Sequence, residues 1–228
     1  GESLAIGAAS TVVDASIEDC LAASVTILNS RSERSLDKKK KVTDRIFKQI
    51  NSHSFHYLTT RDLGSNLLNR REFRTKGIWK KEEGKFILNV INTNDLKDIY
   101  PVKRNNIEAA VHTVWIYEPL DNIDQIKQTL VTFQSQIDIK GSVPTSMMNS
   151  AAKKFGMQVS TLRKKFDKRA EIDAAKRLQV TNKLQGLTKC QEYYEERFKK
   201  LEKATTLHTS LSVAKTLVKS DGAGSGTG

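Results

Sequence analysis

The sequence has few cysteines and prolines and no long apolar run. Two cysteines and three prolines occur among 228 residues, and aromatic residues make up 7%. Cys20 and Cys190 lie far apart in the chain, which excludes a disulfide scaffold and predicts reduced thiols in a cytosolic protein. No stretch approaches the roughly 20 apolar residues that cross a bilayer, so we expect no membrane-spanning helix.

The positive charge is concentrated in the C-terminal part of the chain. Of a net charge of +12, residues 145–228 contribute +9, from 17 Lys and Arg against 8 Asp and Glu. Such a basic surface attracts anions in general, whether nucleic acid or acidic membrane. The charge alone therefore leaves both classes of partner open.

A strand followed by two helices is predicted for the first 50 residues. Residues 4–13 are apolar and suit a strand, and Ser16 suits the N-cap of a helix that carries acidic residues in its first turn. A second helix is predicted over residues 40–50, because three apolar residues recur there every four positions. These residues are Val42, Ile46 and Ile50.

Five segments with β-branched and aromatic residues then predict a run of antiparallel strands. They are residues 54–61, 71–81, 85–93, 107–118 and 128–139. Gly84 lies between the second and third segments, which have opposite hydrophobic phase, and so predicts a hairpin turn. The polar connection 92–106 is too long for a tight turn, which indicates a functional or a loose loop.

Helical periodicity returns after Pro144 and continues almost to the end of the chain. Apolar residues form one stripe at steps of three and four, with basic residues on the opposite side. The stripe consists of Met148, Ala152, Phe155, Val159, Leu162 and Phe166. Helix is predicted to about residue 184 and again over 187–204 and 207–219, before a flexible Gly- and Ser-rich tail.

The order of elements predicts an α+β fold, in which a curved antiparallel sheet wraps around a long C-terminal helix. Four segments in this order resemble the START domain, the steroidogenic acute regulatory protein-related lipid transfer family. The most specific is the approach to the last helix. The segments are Val13–Ser16 with Glu18; Arg70–Phe73 with Trp79; Tyr117–Leu120; and Ile137, Asp138, Gly141, Val143, Pro144 and Asn149.

The resemblance implies a helix-grip fold and a lipid-binding, non-enzymatic protein. It covers residues 4–168. Because the family places a helix and further strands before the corner at Asp14, we expect either an N-terminally truncated domain or a sheet that closes differently. We therefore expect a START-like domain over residues 1–170, a basic helical extension over 171–220 and a flexible tail over 221–228. Which lipid binds is left open, as is the oligomeric state.

Alternation along the strands and the helical stripe predict which residues contact the lipid. A lipid tail needs a dry apolar lining and one or two polar groups for its head. The predicted lining is Phe86, Leu88, Val90, Phe133, Met148, Ala152, Phe155, Val159 and Leu162. The same residues could fill an ordinary core, and only the resemblance favours a cavity. Arg61, Asp62 and Arg71 are the polar candidates, of which Arg71 is the preferred lipid contact.

Two further surfaces follow from the resemblance and the charge. The connection 92–106 is predicted to be a lid over the cavity, with Ile99, Tyr100, Pro101 and Val102 at its tip. The basic side of the last helix is predicted to dock transiently on anionic membrane. Its residues are Lys153, Lys154, Arg163 and Lys164. The expected location is accordingly cytoplasmic and peripheral to membranes.

Other kinds of chemistry have weak support in the sequence. His53 and His56 are three residues apart in or near a strand, where side chains alternate faces, so we expect no metal site and no cofactor. The alternative functions are nucleic-acid binding and helix pairing through the basic C-terminal helices. No reading motif for nucleic acid is visible, so no nucleic-acid partner is expected.

Overall fold

The computed structural model describes residues 4–64 and 68–220. Residues 145, 147, 150–152, 154–155 and 204–220 are described by their backbone alone. The chain divides into two compact units, residues 1–169 and residues 170–228. All strands and three of the four α-helices lie in the first unit.

The described residues of the first unit form seven strands and three α-helices. The strands are β1 (Leu4–Val13), β2 (Val42–Asn51), β3 (Ser54–Arg61), β4 (Arg71–Glu82), β5 (Lys85–Asn92), β6 (Ile107–Ile123) and β7 (Ile126–Asp138). The helices are α1 (Ile17–Thr26), α2 (Arg31–Ser35) and α3 (Thr145–Lys165), with a 3-10 turn at Ile27–Asn29. The described residues of the second unit belong to α4 (Arg169–Ser220), which begins at the last residue of the first unit.

The strands form one curved sheet in the order β1-β7-β6-β5-β4-β3-β2. Every neighbouring pair is antiparallel, and a short parallel pairing joins the start of β4 to the start of β6. β1 and β2 form the two edges of the sheet. The helix α3 packs mainly against β1 and also against β7. The predicted α+β helix-grip architecture is therefore confirmed.

The first helix begins as the sequence predicted. The Ser16 hydroxyl accepts a hydrogen bond from the Asp19 backbone N–H at 3.1 Å, which satisfies one of the free donors at the helix start. Glu18 and Asp19 place negative charge at the positive end of the helix dipole. The helix buries Cys20 and Leu21, and it packs on β5, β6 and β7.

The helix predicted over residues 40–50 is wrong, because this segment forms β2 and pairs with β3. Apolar residues four apart satisfy the period of a helix and equally the period of two of a strand. In the strand, however, the register shifts after Val42 and around Ile50, so Val42 pairs with Arg61 and Ile46 with Leu58, which face opposite sides of β3. The β-branched and aromatic residues of the segment suit a pleated sheet, and the pairing with β3 decides between the two structures.

The helix boundaries after Pro144 also differ from those predicted. The break lies at residues 166–168 and not near Gly186, which sits inside the continuous α4. Asp167 Oδ1 accepts from the Arg169 N–H at 3.2 Å, so a capping residue marks the start of α4. A glycine inside a helix costs only about 1 kcal/mol relative to alanine, which a long helix tolerates.

Candidate functional site

The inner face of the sheet is the face on which α1 and α3 pack. Strand register places one residue from each of four adjacent strands in a row across this face. Phe133 pairs with Trp115, Trp115 with Leu88, and Leu88 with Trp79. The rings of Trp115 and Phe133 are 4.6 Å apart at an interplanar angle of 61°, which is a favourable edge contact. The row is apolar throughout, as a lipid lining requires.

One part of this face, formed by β1, β7, β6 and β5, is here called the covered half. Val159 and Leu162 of α3 belong to the same hydrophobic cluster as Leu88 and Phe133, and all four side chains are buried. Met148 is buried in a second cluster with Phe73, Ala109, Ile137, Ile139 and Val143. The structure thus brings the predicted lining residues of α3 together with those of the sheet.

The remaining predicted lining residues are placed differently. Phe86 and Val90 are half-buried at the margin of the first cluster. Ala152 and Phe155 lie outside the described side chains, although their backbone is part of α3. The predicted contact of all these residues with lipid stays a prediction.

The inner face of β2, β3 and β4 is here called the open half, because three of its aromatic side chains remain half-buried. Phe47, Tyr57 and Trp79 pack at the edge of the first cluster without being enclosed by it. The ring of Phe47 stacks on the buried ring of Phe55, with 5.2 Å between their centroids. Trp79 was part of the sequence resemblance, whereas Phe47, Phe55 and Tyr57 were not identified from the sequence. Their strand alternation is the signal that could have revealed them.

Gly77 is required by the packing of the open half. It pairs with Phe55 across β3 and β4. A Cβ atom at this position would lie 2.2 Å from Cζ of the Phe55 ring, closer than atoms can approach. The absent side chain therefore lets the ring lie flat against the sheet.

Arg71, the preferred polar contact for the lipid, forms its hydrogen bonds with the protein backbone instead. Its guanidinium donates to the carbonyl oxygens of Asn69, Ile139 and Lys140. The side chain is 1% exposed, so these bonds satisfy a buried cation and tie β4 to the segment that leads into α3. They leave the predicted contact of Arg71 with lipid without support.

A second arginine organises the polar corner of the open half. Arg45 donates from Nη1 to the Tyr57 hydroxyl at 2.8 Å and to the Leu28 carbonyl at 3.1 Å. Its Nε donates to Asp37 at 3.2 Å, and the two groups also form an ion pair. Burial raises the pKa of Tyr57, while Arg45 and Arg61 act against this rise. Tyr57 therefore stays a neutral hydroxyl at physiological pH.

The connection between β5 and β6, predicted to be a lid, is anchored on the outer face. Leu96 is 1% exposed, and its carbonyl accepts from Arg74 Nη1 at 3.5 Å. Asn106 donates to Glu72 at 2.9 Å, and Glu72 forms a buried ion pair with Arg74. Glu72 and Arg74 alternate with the inner-facing Phe73, so they point to the opposite face from α3.

The predicted tip of that connection lies at the surface. Ile99, Pro101 and Val102 are exposed, and Tyr100 is half-buried. The anchoring of the base on the outer face gives no support to a lid over the inner face. The lid role of Ile99, Tyr100, Pro101 and Val102 therefore stays a prediction.

The predicted docking residues follow the polar side of α3. Lys153, Arg163 and Lys164 are exposed, and the side chain of Lys154 lies outside the described ones. Within residues 4–64 and 68–220, no helix is long and apolar enough to span a bilayer. The same residues contain no group of three or more His, Cys, Asp or Glu side chains suited to a metal ion.

The fold is similar to that of START proteins. The lipid transfer and protein localization domain of human StarD13 matches with a TM-score of 0.54 and 18% identity, over 74% of this chain and 80% of that one. Human STARD10 matches with a TM-score of 0.52 and 15% identity, over 70% of this chain and 62% of that one. A STAR-related lipid transfer protein of Xanthomonas axonopodis has a TM-score of 0.54 and 13% identity, over 73% and 88%.

No protein-family model and no curated protein matches the chain. At these low identities, the structural likeness shows the fold alone. The chain thus has a START-like helix-grip fold, as the four sequence segments predicted.

Proposed function

We propose that this protein binds a single lipid on the inner face of its sheet, between the open half and α3, without catalysing a reaction. The observation that carries the proposal is the half-buried state of Phe47, Tyr57 and Trp79 on a face whose other half buries most of its apolar side chains under α1 and α3. Aromatic side chains on an inner face are normally enclosed, because each can bury 150–250 Å² or so. The uncovered area is available to an apolar ligand.

The energetics of an acyl chain suit such a surface. Each methylene group removed from water contributes about 0.8 kcal/mol, so a long tail supplies affinity without a specific polar contact. StarD13 and the Xanthomonas protein are described as lipid transfer proteins, which supports the same class of ligand for this fold. Transfer or sensing of the lipid is the corresponding biological role.

Transient docking on anionic membrane belongs to this proposal. Lys153, Arg163 and Lys164 present positive charge along α3, the helix that borders the proposed site. A basic side chain near an anionic surface contributes about 1 kcal/mol to binding. The protein would then act in the cytoplasm, peripheral to membranes, and exchange its lipid while docked.

The first experiment is native purification followed by lipid extraction and mass spectrometry. We expect one lipid class at close to one molecule per chain. Repeated purification without any bound lipid, together with no uptake from vesicles, would refute the proposal.

The second experiment uses the two tryptophans, of which Trp115 is buried and Trp79 half-buried. Binding of a lipid should shift the emission of Trp79 to shorter wavelength and leave that of Trp115 unchanged. Trp79→Phe should abolish the shift, and Trp79→Ala should weaken binding. Ile78→Ala is the matched control, because Ile78 is the neighbouring residue on the outer face and is exposed.

A second candidate function rests on α4. Five apolar side chains recur along it at steps of three, four or seven, and all are more than half exposed. They are Val180, Leu184, Leu187, Tyr194 and Phe198. This spacing is that of a coiled-coil seam, so α4 is proposed to pair with a helix of a second copy of the chain. Sedimentation analysis should show a dimer that Leu187→Glu dissociates, whereas Thr181→Glu should not.

A further inference from the structure

Arg61 is the last residue of β3 and lies on the inner face in the open half. Register places it opposite Arg71 of β4 on one side and opposite Val42 of β2 on the other. It follows Tyr57 and Thr59 at alternate positions of the same strand, so all three side chains share the inner face. Its side chain is half-buried.

The two neighbouring arginines of this face are fully engaged, whereas Arg61 is not. Arg71 donates to three carbonyl oxygens, and Arg45 is bonded to Asp37, Tyr57 and Leu28. The Arg61 side chain has no hydrogen bond or ion pair with any residue that the structure describes. The nearby carboxylates are already taken, since Asp37 pairs with Arg45 and Glu33 with Lys40.

An unpaired guanidinium in this position is unfavourable. Burial lowers the pKa of Arg61, and the charge of Arg45 acts in the same direction, while Tyr57, Asp37 and Glu33 oppose it. An arginine nevertheless stays protonated in proteins, so the positive charge persists. Partly buried charges are normally paired, and this one lacks its partner within the described chain.

We propose that Arg61 binds the anionic head of the lipid, a carboxylate or a phosphate carried on an apolar tail. The planar guanidinium offers two parallel N–H groups, which match the paired oxygens of either head. The inference rests on the proposed lipid-binding function and adds the chemical class of the ligand.

Tyr57 provides a second donor for the same head. Its hydroxyl oxygen accepts from Arg45, and its own hydrogen has no acceptor among the residues described. One oxyanion can therefore receive hydrogen bonds from both side chains, while its tail lies along Phe47 and Trp79.

The test compares three probes with the same tail: oleate, oleoyl lysophosphatidate and oleyl alcohol. Binding to the full chain is measured by calorimetry below the aggregation concentration of each probe. A charge-assisted hydrogen bond contributes enough for about a tenfold or larger preference, so an acidic probe should bind at least tenfold more tightly than the alcohol. Whichever acid binds more tightly identifies the head as carboxylate or phosphate.

Arg61→Gln should remove that preference and leave the affinity for oleyl alcohol unchanged. Arg61→Lys should keep part of the preference for the acidic probes, because lysine retains the positive charge but lacks the two parallel N–H donors. Arg104→Gln is the matched control: it removes the same charge from an exposed position and should keep the preference. Tyr57→Phe should reduce the preference by a smaller factor than Arg61→Gln.

Thermal unfolding without ligand provides an independent readout. Arg61→Gln should leave the melting temperature unchanged or raise it, because the variant removes an uncompensated charge. A lowered melting temperature would assign Arg61 a structural role and overturn the inference. Equal binding of acid and alcohol, or an acid preference that survives Arg61→Gln, would also overturn it. If no probe binds the wild-type chain, the proposed lipid-binding function itself fails.

Discussion

The two halves of the inner face contain similar apolar residues but differ in how completely these are covered. In the covered half, Phe133 is 1% exposed and Val131 0%, because helices pack over β7 and its neighbours. In the open half, Phe47 and Tyr57 point to the same side of the sheet yet stay half-buried. Strand alternation thus decides which face a residue joins, whereas helix placement decides whether it becomes fully buried or stays half-buried.

The largest expected effect is on stability in the covered half. Phe133→Ala removes a fully buried ring and should lower the free energy of unfolding by about 3–5 kcal/mol. Phe47→Ala in the open half should lower it by about 1 kcal/mol, because its ring is already partly in solvent. Urea denaturation measures both. Similar losses for the two variants would show that the open half is packed as tightly as the covered half.

The next effect concerns charge on the outer face. Glu72→Gln leaves Arg74 buried without a counter-charge and should cost about 3 kcal/mol of unfolding free energy. Arg61→Gln on the inner face should leave the free energy of unfolding unchanged in the same urea assay. A stable Glu72→Gln variant would contradict the structural role of the outer pair.

A smaller effect is expected at alkaline pH in the covered half. Burial raises the pKa of the Cys20 thiol from 9.0 to about 11. The neutral thiol is thus favoured in the folded state, and its contribution is complete below pH 9 and lost as the pH rises to about 11. The loss of unfolding free energy should be at most about 2.7 kcal/mol. Cys20→Ala should flatten the stability profile between these pH values, and an unchanged slope would refute the assignment.

The smallest effect is expected at the membrane. Arg163→Gln removes one exposed charge of α3 and should weaken binding to phosphatidylserine vesicles by about 1 kcal/mol. Vesicle sedimentation at fixed ionic strength measures this change. Lys183→Gln on α4 is the control with the same loss of charge. An equal effect of the two variants would indicate attraction by net charge rather than docking through α3.

Local signals predicted most of the fold. The hairpin of β4 and β5 followed from two strands of opposite phase around Gly84, which has a φ of +80° that favours glycine. The start of α1 followed from Ser16 and its acidic first turn. The strand β2 was missed because apolar residues four apart fit both periods, and only pairing with β3 distinguishes them.

The sequence alone could not distinguish the roles of the arginines on the inner face. Arg61 and Arg71 are both arginines at the ends of predicted strands. The difference between them arises from the carbonyl groups of Ile139 and Lys140, which are distant in the chain and reach Arg71 only in the folded sheet. Similarly, the bond between Arg45 and Tyr57 depends on the register of β2 and β3.

Gly77 has a consequence for the aromatic layer of the open half. Because this position lacks a side chain, the Phe55 ring occupies the volume that a Cβ atom would fill and rests against the backbone of β4. An alanine there would displace the ring from the backbone and disturb its stacking on Phe47. A single hydrogen in place of a methyl group thus sets how closely the aromatic layer approaches the sheet.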